Sequence, residues 1–168
     1  MKTGDMNRRY LIAGAAALGT VVPLSKAAAQ ARQPLIYVDG IKPGWWIGGW
    51  TKHEIVDFDG QKPIRLTMEP WNALTFQTGT PLKADEYKTL TILVHGGDKG
   101  RQEVKLSARL GEKDYGAEAT LKGKKGQWVR YDIDLKDLKI TGDFDTIFIN
   151  NKFDDTQPPF YINIVLMQ

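Results

Sequence analysis

The feature that most limits the fold of this chain is a two-residue alternation of apolar and polar side chains, in runs too short for helices. Val104, Leu106, Ala108 and Leu110 alternate with Lys105, Ser107 and Arg109. Ile64, Leu66 and Met68 alternate with Arg65, Thr67 and Glu69, and Leu90, Ile92 and Val94 with Thr91, Leu93 and His95. Ile162, Ile164 and Leu166 repeat the pattern near the C-terminus. Successive side chains of a strand point to opposite faces, so each run presents one apolar and one polar face. The pattern predicts strands over 35–38, 54–58, 64–69, 73–77, 89–95, 103–110, 117–121, 128–134, 146–150 and 160–166. Asp59-Gly60 reads as a hairpin turn, the segments 96–100 and 122–126 as longer ones, and 134–138 as a single helical turn. Strands with one wet face need a second sheet over the dry one. The expectation is an all-β, jelly-roll-like β-sandwich of two antiparallel sheets, with first and last strands paired.

The N-terminus has a different character. Arg8-Arg9 is followed by Tyr10, Leu11 and Ile12, then by an alanine- and glycine-rich apolar stretch that ends near Leu24. That stretch is too short and weakly apolar to span a bilayer well. Ala27, Ala29 and Ala31 supply the small side chains of a signal-peptidase site. Residues 1–31 therefore read as a twin-arginine signal peptide, and 32–168 as one β-sandwich domain with a periplasmic or secreted destination. An ordinary secretory signal and a retained membrane anchor are the alternatives.

Removing the leader changes the charge argument. Four of the 23 basic residues and one of the 20 acidic residues lie within it, so 19 of each remain. A neutral domain has no global field for nucleic acid or for a membrane surface, and neither is an expected partner. Cysteine is absent, which removes disulfides, thiolate nucleophiles and thiolate metal ligands.

Within 43–50, Trp45, Trp46 and Trp50 lie among glycines in a segment without visible alternation. An indole face can stack on the C–H face of a sugar ring while nearby polar groups bond its hydroxyls. The same rings can instead cap one end of the sandwich, but three of them from one short segment are not all expected inside. Trp71 can extend the surface or pack between the sheets, and Trp128 reads as structural. Gln77, His95, Arg109, Asn150 and Asn151 are candidate polar contacts, because outward parity or strand-end placement leaves them facing solvent.

Gly44-Trp45 through Trp50, Trp71-Asn72-Ala73-Leu74, Tyr87-Lys88-Thr89-Leu90, His95-Gly96-Gly97 with Gly100-Arg101-Gln102, Trp128, Ile149-Asn150-Asn151 and Phe160-Tyr161-Ile162-Asn163 follow in order. Together they resemble galactose-binding-like jelly-roll domains of the carbohydrate-binding-module type. The resemblance covers nearly all of 32–168 and rests mostly on turn and core residues. It implies a sandwich that binds a polysaccharide or oligosaccharide through aromatic and polar groups on one sheet. It also implies a structural calcium between first and last strands, for which Asp39 and Asn163 would be oxygen donors. One carboxylate and one amide are few for an ion that takes six to eight oxygens. The closing strand of such domains often carries aspartate where this chain has Asn163.

Two other classes stay open. Glu54, Asp57 and Asp59 form a carboxylate group near the tryptophans, as a small glycan-active enzyme would need. The tryptophan segment also suits an envelope protein–protein interface. His53 and His95 are the only histidines and lack ligand spacing. The lysines of 122–125 can touch an acidic polysaccharide or simply be a solvated turn.

Overall fold

The computed structural model describes residues 34–168, so the signal peptide expected at 1–31 lies outside the described residues. Twelve strands and one short helical turn follow in order. They are β1 (Leu35–Tyr37), β2 (Trp45–Gly49), β3 (Lys52–Ile55), β4 (Ile64–Thr67) and β5 (Ala73–Leu82). A 3₁₀ turn at Ala84–Glu86 precedes β6 (Thr89–His95), β7 (Glu103–Leu110), β8 (Lys113–Asp114) and β9 (Ala119–Lys122). The chain closes with β10 (Trp128–Asp134), β11 (Phe144–Asn151) and β12 (Phe160–Met167).

Two antiparallel sheets make a jelly-roll sandwich. The first runs β10-β6-β12-β4-β3, with β1 beside β12, so first and last strands pair as expected. The second runs β2-β5-β11-β7-β8, with β9 on β7. The first sheet buries Ile64, Leu66, Ile92, Val94 and Ile162 between the layers. The second buries Leu74, Phe76, Val104, Leu106, Ile147 and Ile149 against them. Alternation therefore predicts the inward set through most of the domain. The Asp59-Gly60 turn forms as expected, with Phe58 bridged to Gln61 and both turn residues at positive φ, as a type I′ turn demands.

The alternation fails in the last strand. Ile164 sits at φ 49° in a bulge that shifts the register between Asn163 and Val165. Parity inverts there, so Val165 and Met167 enter the core in place of Ile164 and Leu166. Two expected hairpin loops are crossings between sheets. The segment 96–102 joins β6 of the first sheet to β7 of the second, and 123–127 returns from β9 to β10. Where a helical turn is expected over 134–138, Asp134 ends β10 and residues 135–139 make successive turns; the helical turn is at Ala84–Glu86 instead. Trp45 and Trp46 lie in strand β2, whose pattern is hidden because glycines occupy positions 48 and 49, and Trp50 follows its end.

Candidate functional site

Register assembles one continuous face on the outside of the second sheet. Trp46 on β2 pairs with Gln77 on β5, Gln77 with Thr146 on β11, Thr146 with Arg109 on β7, and Arg109 with Asp114 on β8. The adjacent row holds Gly48, Thr75, Phe148 and Ser107. A third holds Ala73, Asn150, Lys105 and Thr120. At about 4.8 Å between strands, a row crossing from β2 to β8 is roughly 19 Å long.

Hydrogen bonds fix the side chains of this face. Trp46 Nε1 donates to Gln77 Oε1 at 2.7 Å, and Gln77 Nε2 donates to Thr75 Oγ1 at 3.1 Å. That relay sets the indole and amide orientations while leaving the Trp46 ring 47% exposed. Gly48 is needed here, because a Cβ would lie 2.9 Å from Thr75 Oγ1. Arg109 lies 4.3 Å over the Phe148 ring and pairs with Asp114 at 3.0 Å, so two contacts hold its guanidinium on this face. Lys105 pairs with Glu118 at 2.9 Å.

Two further indoles stand at one end of the face. Trp50 donates from its backbone N–H to Ala73 O and from Nε1 to Trp71 O, each at 3.0 Å, and is 63% exposed. Trp71 is 80% exposed and has φ 63°. A left-handed backbone costs an L-residue roughly 1–2 kcal/mol, so the fold holds an exposed indole in a strained turn. Among the described residues, none of Trp46, Trp50 and Trp71 takes part in a ring–ring contact, and all three side chains are exposed.

Of the residues singled out in the sequence, Trp46, Gln77, Arg109 and Asn150 share this face, with Trp50 and Trp71 at its end. Trp45 is half-buried against the core, as its inward parity on β2 requires. His95 does not face solvent as its place at a strand end predicts. It is 6% exposed, accepts the Gly97 N–H through Nδ1 at 3.0 Å, and packs against Phe58, Trp128 and Tyr161. Asn151 is committed to loop structure: its Nδ2 donates to the carbonyls of Met68, Glu69 and Asp155, and its Oδ1 accepts from Phe153 N. The carboxylates expected near the tryptophans belong to the other sheet. Glu54 pairs with Arg65 at 2.6 Å, Asp57 approaches Lys62 at 3.9 Å, and Asp59 forms the hairpin turn.

Phe148, Lys105 and Asp114 complete the face, with Thr75 buried beneath it, and these four were not singled out in the sequence. Phe148 shares parity with Thr146 and Asn150, which was the available signal, but its apolar neighbours Ile147 and Ile149 mask it. The others needed strand pairing, which composition does not supply.

Asp39 and Asn163 meet, as the resemblance implied, but their donor atoms are engaged with each other. Asn163 Nδ2 donates to Asp39 Oδ1 at 3.0 Å and to Gln61 Oε1 at 2.6 Å, while its Oδ1 accepts the N–H groups of Asp39 and Ile164. Lys62 N donates to Asp39 Oδ1 at 2.8 Å. That backbone hydrogen bond first, then the Asn163 amide, holds the Asp39 carboxyl below its usual range. An amide oxygen facing two N–H groups has little left for a cation, so this donor set does not fit calcium.

No protein-family model matches the chain, and no curated protein matches it in sequence. Solved structures do resemble it. A structure described as a family 29 carbohydrate-binding module superposes with TM-score 0.60 at 15% identity, covering 80% of this chain and 86% of that one. A variant of a module of that family, complexed with cellulohexaose, gives 0.61 at 14% identity over 80% and 89% of the two chains. Another, complexed with mannohexaose, gives 0.59 at 15% identity over the same shares. At such identities the likeness is one of fold.

Proposed function

We propose that this domain is an exported, non-catalytic carbohydrate-binding module that lays a polysaccharide or oligosaccharide across the outer face of the second sheet. The observation that carries the reading is the trio of open indoles, Trp46, Trp50 and Trp71, beside a strand face of fixed polar groups. Sugar rings offer a C–H face to the indoles, and their hydroxyls meet Gln77, Arg109, Asn150 and Lys105. Most of the polar face is organised before a ligand arrives, which lowers the ordering cost of a weak, extended contact. The family 29 likeness supports the reading at the level of fold. The leader sequence supports export by the twin-arginine route, and a fold without cysteine is consistent with folding before translocation.

A glycan array followed by tryptophan fluorescence titration of the hits tests the proposal. Binding should shift and quench the emission, and Trp46→Ala should abolish most of the change. A flat array at millimolar sugar would refute it and favour an envelope protein partner for the same indoles. Turnover of a bound glycan, lost in Glu54→Gln or Asp57→Asn, would refute the non-catalytic part.

A further inference from the structure

The end of the sandwich where β7 begins and β9 finishes carries a second built feature that the indole face does not use. The two inter-sheet crossings pack backbone to backbone. Gly96 N donates to Lys124 O at 3.0 Å, Arg101 N to Gly123 O at 3.0 Å, and Gly126 N to Gly97 O at 2.8 Å. A Cβ on Gly96 would fall 2.6 Å from the Lys124 carbonyl, and one on Gly100 2.6 Å from Lys125 N, so the approach requires glycine. The segment 152–159 forms the opposite wall and is pinned by two buried amides. Gln157 accepts from Glu103 N and donates to Glu103 O, each at 2.7 Å. Gln102 Nε2 donates to the carbonyls of Gly96, Pro158 and Pro159 at 3.0–3.3 Å.

Between these walls lies a cleft of about 770 Å³ whose lining includes Lys99, Arg101, Lys125, Phe153, Asp155 and Pro158. An adjoining cleft of about 480 Å³ shares Lys99, Arg101 and Lys125 and adds Lys122 and Lys124. The charges here are unevenly matched. Glu103 takes both Lys152, at 2.6 Å, and Lys122, at 2.9 Å. Among the described residues, Lys99, Arg101, Lys124 and Lys125 have no carboxylate within ion-pair distance. Asp155 is the one acidic residue lining the larger cleft, and Asp98 is exposed on the first crossing. Arg101 is held at φ 69°, a backbone that glycine would adopt without strain. The surplus is local, because residues 32–168 balance at 19 basic and 19 acidic side chains.

We infer that this cleft binds an anionic group carried on a saccharide ring, a carboxylate or a sulfate ester, and so selects acidic oligosaccharides. Arg101 offers a planar fork that matches either oxyanion, Lys99 and Lys125 add point charge, and exposed Phe153 offers a ring to the sugar's C–H face. The strand order places it beside the indoles. Trp50, Trp71, Phe153, Arg101 and Lys124 follow or precede β2, β5, β11, β7 and β9, which neighbour one another in that order. A ligand running along this end passes from stacking surface to positive charge. The saccharide part of the inference rests on the indole face being a glycan surface.

The test is calorimetric titration with a panel of acidic oligosaccharides (oligogalacturonide, alginate oligomers, chondroitin sulfate) beside neutral oligosaccharides of equal length. At low salt at least one acidic member should bind about tenfold more tightly than its neutral counterpart, and 0.5 M sodium chloride should remove that advantage. The double variant Arg101→Gly with Lys125→Gln should cost about tenfold for the acidic ligand and nothing for the neutral one. Its melting temperature should hold or rise, which excludes misfolding. Preference for carboxylate or for sulfate identifies the source of the oxyanion. No acidic preference anywhere in the panel overturns the inference, as does a preference that survives the double variant. Tighter competition by phosphatidylglycerol vesicles or by duplex DNA than by any acidic saccharide also overturns it. Trp46→Ala leaving neutral binding unchanged would instead sink the indole-face reading while the cleft's salt-dependent binding stood.

Discussion

The two outer faces of the sandwich both carry aromatic rings, and they use them in opposite ways. On the first sheet, Trp128, His95, Tyr161, Arg65 and Glu54 form a transverse row across five strands. Phe58 folds over that row and stacks on Tyr161 at 4.1 Å with 13° between planes, while His95 meets Phe58, Trp128 and Tyr161 at 4.9–5.7 Å. Each ring there covers another. On the second sheet, Trp46 is tethered by its N–H to a glutamine, Trp50 to a backbone carbonyl, and both stay exposed without another ring against them. Aromatic content alone therefore does not mark a binding surface. What distinguishes the second sheet is that its polar handles are satisfied while its apolar faces are not.

The strongest way to break this comparison is to remove the lid of the first cluster. Phe58→Ala should cost about 2 kcal/mol of stability, since it deletes a stacked, partly buried ring and leaves His95 and Tyr161 uncovered. That corresponds to a melting temperature lower by roughly 6–10 °C for a domain of this size. Glycan affinity, measured below the transition, should be unchanged. A loss of affinity without a loss of stability would move the binding site to the first sheet.

The converse variant acts on the other face. Trp46→Ala should lower glycan affinity about tenfold, near 1.4 kcal/mol, and change stability by less than about 0.5 kcal/mol, because the ring covers no core residue. Isothermal titration and thermal melting of the same sample read both quantities. A melting temperature that fell as far as in Phe58→Ala would make Trp46 a structural ring and erase the distinction between the faces.

How much of this was legible follows the same division. Alternation found the core strands because the apolar positions of β4, β6 and β7 are uninterrupted. It failed at Ile164, where a side-chain amide three bonds from the backbone stabilises a bulge: Asn163 Oδ1 accepts the Ile164 N–H and makes a positive φ tolerable for a β-branched residue. It also missed β2, where Gly48 and Gly49 erase half the pattern. Counting indicates only that at least one indole of 43–50 is exposed, since three cannot all fit inside. That Trp46 and Trp50 are the exposed ones, and Trp71 with them, needed the structure. His95 was misplaced because local parity describes only which face a residue leaves by. A loop from elsewhere, here the hairpin that carries Phe58, can bury that face. Phe148 and Asp114 joined the site through pairing between strands far apart in sequence, which no local pattern encodes.

Trp71 sharpens the comparison at a smaller scale, because its backbone and its ring pull in opposite directions. At φ 63° the position favours glycine, so Trp71→Gly should be more stable than Trp71→Ala by about 1 kcal/mol, although both lose the ring. Both should weaken glycan binding. A strained, exposed tryptophan at a position that favours glycine is what a surface kept for contact would carry. Equal stability of the two variants would show that the turn relaxes and that the strain argument fails.

The smallest expected effect concerns acid, and it belongs to the first sheet. Asp132, on the outer face of the first sheet, takes hydrogen bonds from Arg130 and Thr91, and Asp39, after β1, takes those of Lys62 N and Asn163. These contacts lower both carboxyls below their unfolded value of 3.8. A carboxyl lowered by folding contributes stability that is complete above its unfolded pKa and is lost as pH falls through the folded one. Below about pH 4 the melting temperature of the native chain should therefore decline more steeply than that of Asp39→Asn. The variant keeps an oxygen for Lys62 N and Asn163 but has no proton to take up. Because Asp39 and Asn163 answer each other directly, added calcium or chelator should leave both curves where they are, and a melting temperature raised by calcium at neutral pH would show that the clasp opens to admit the ion.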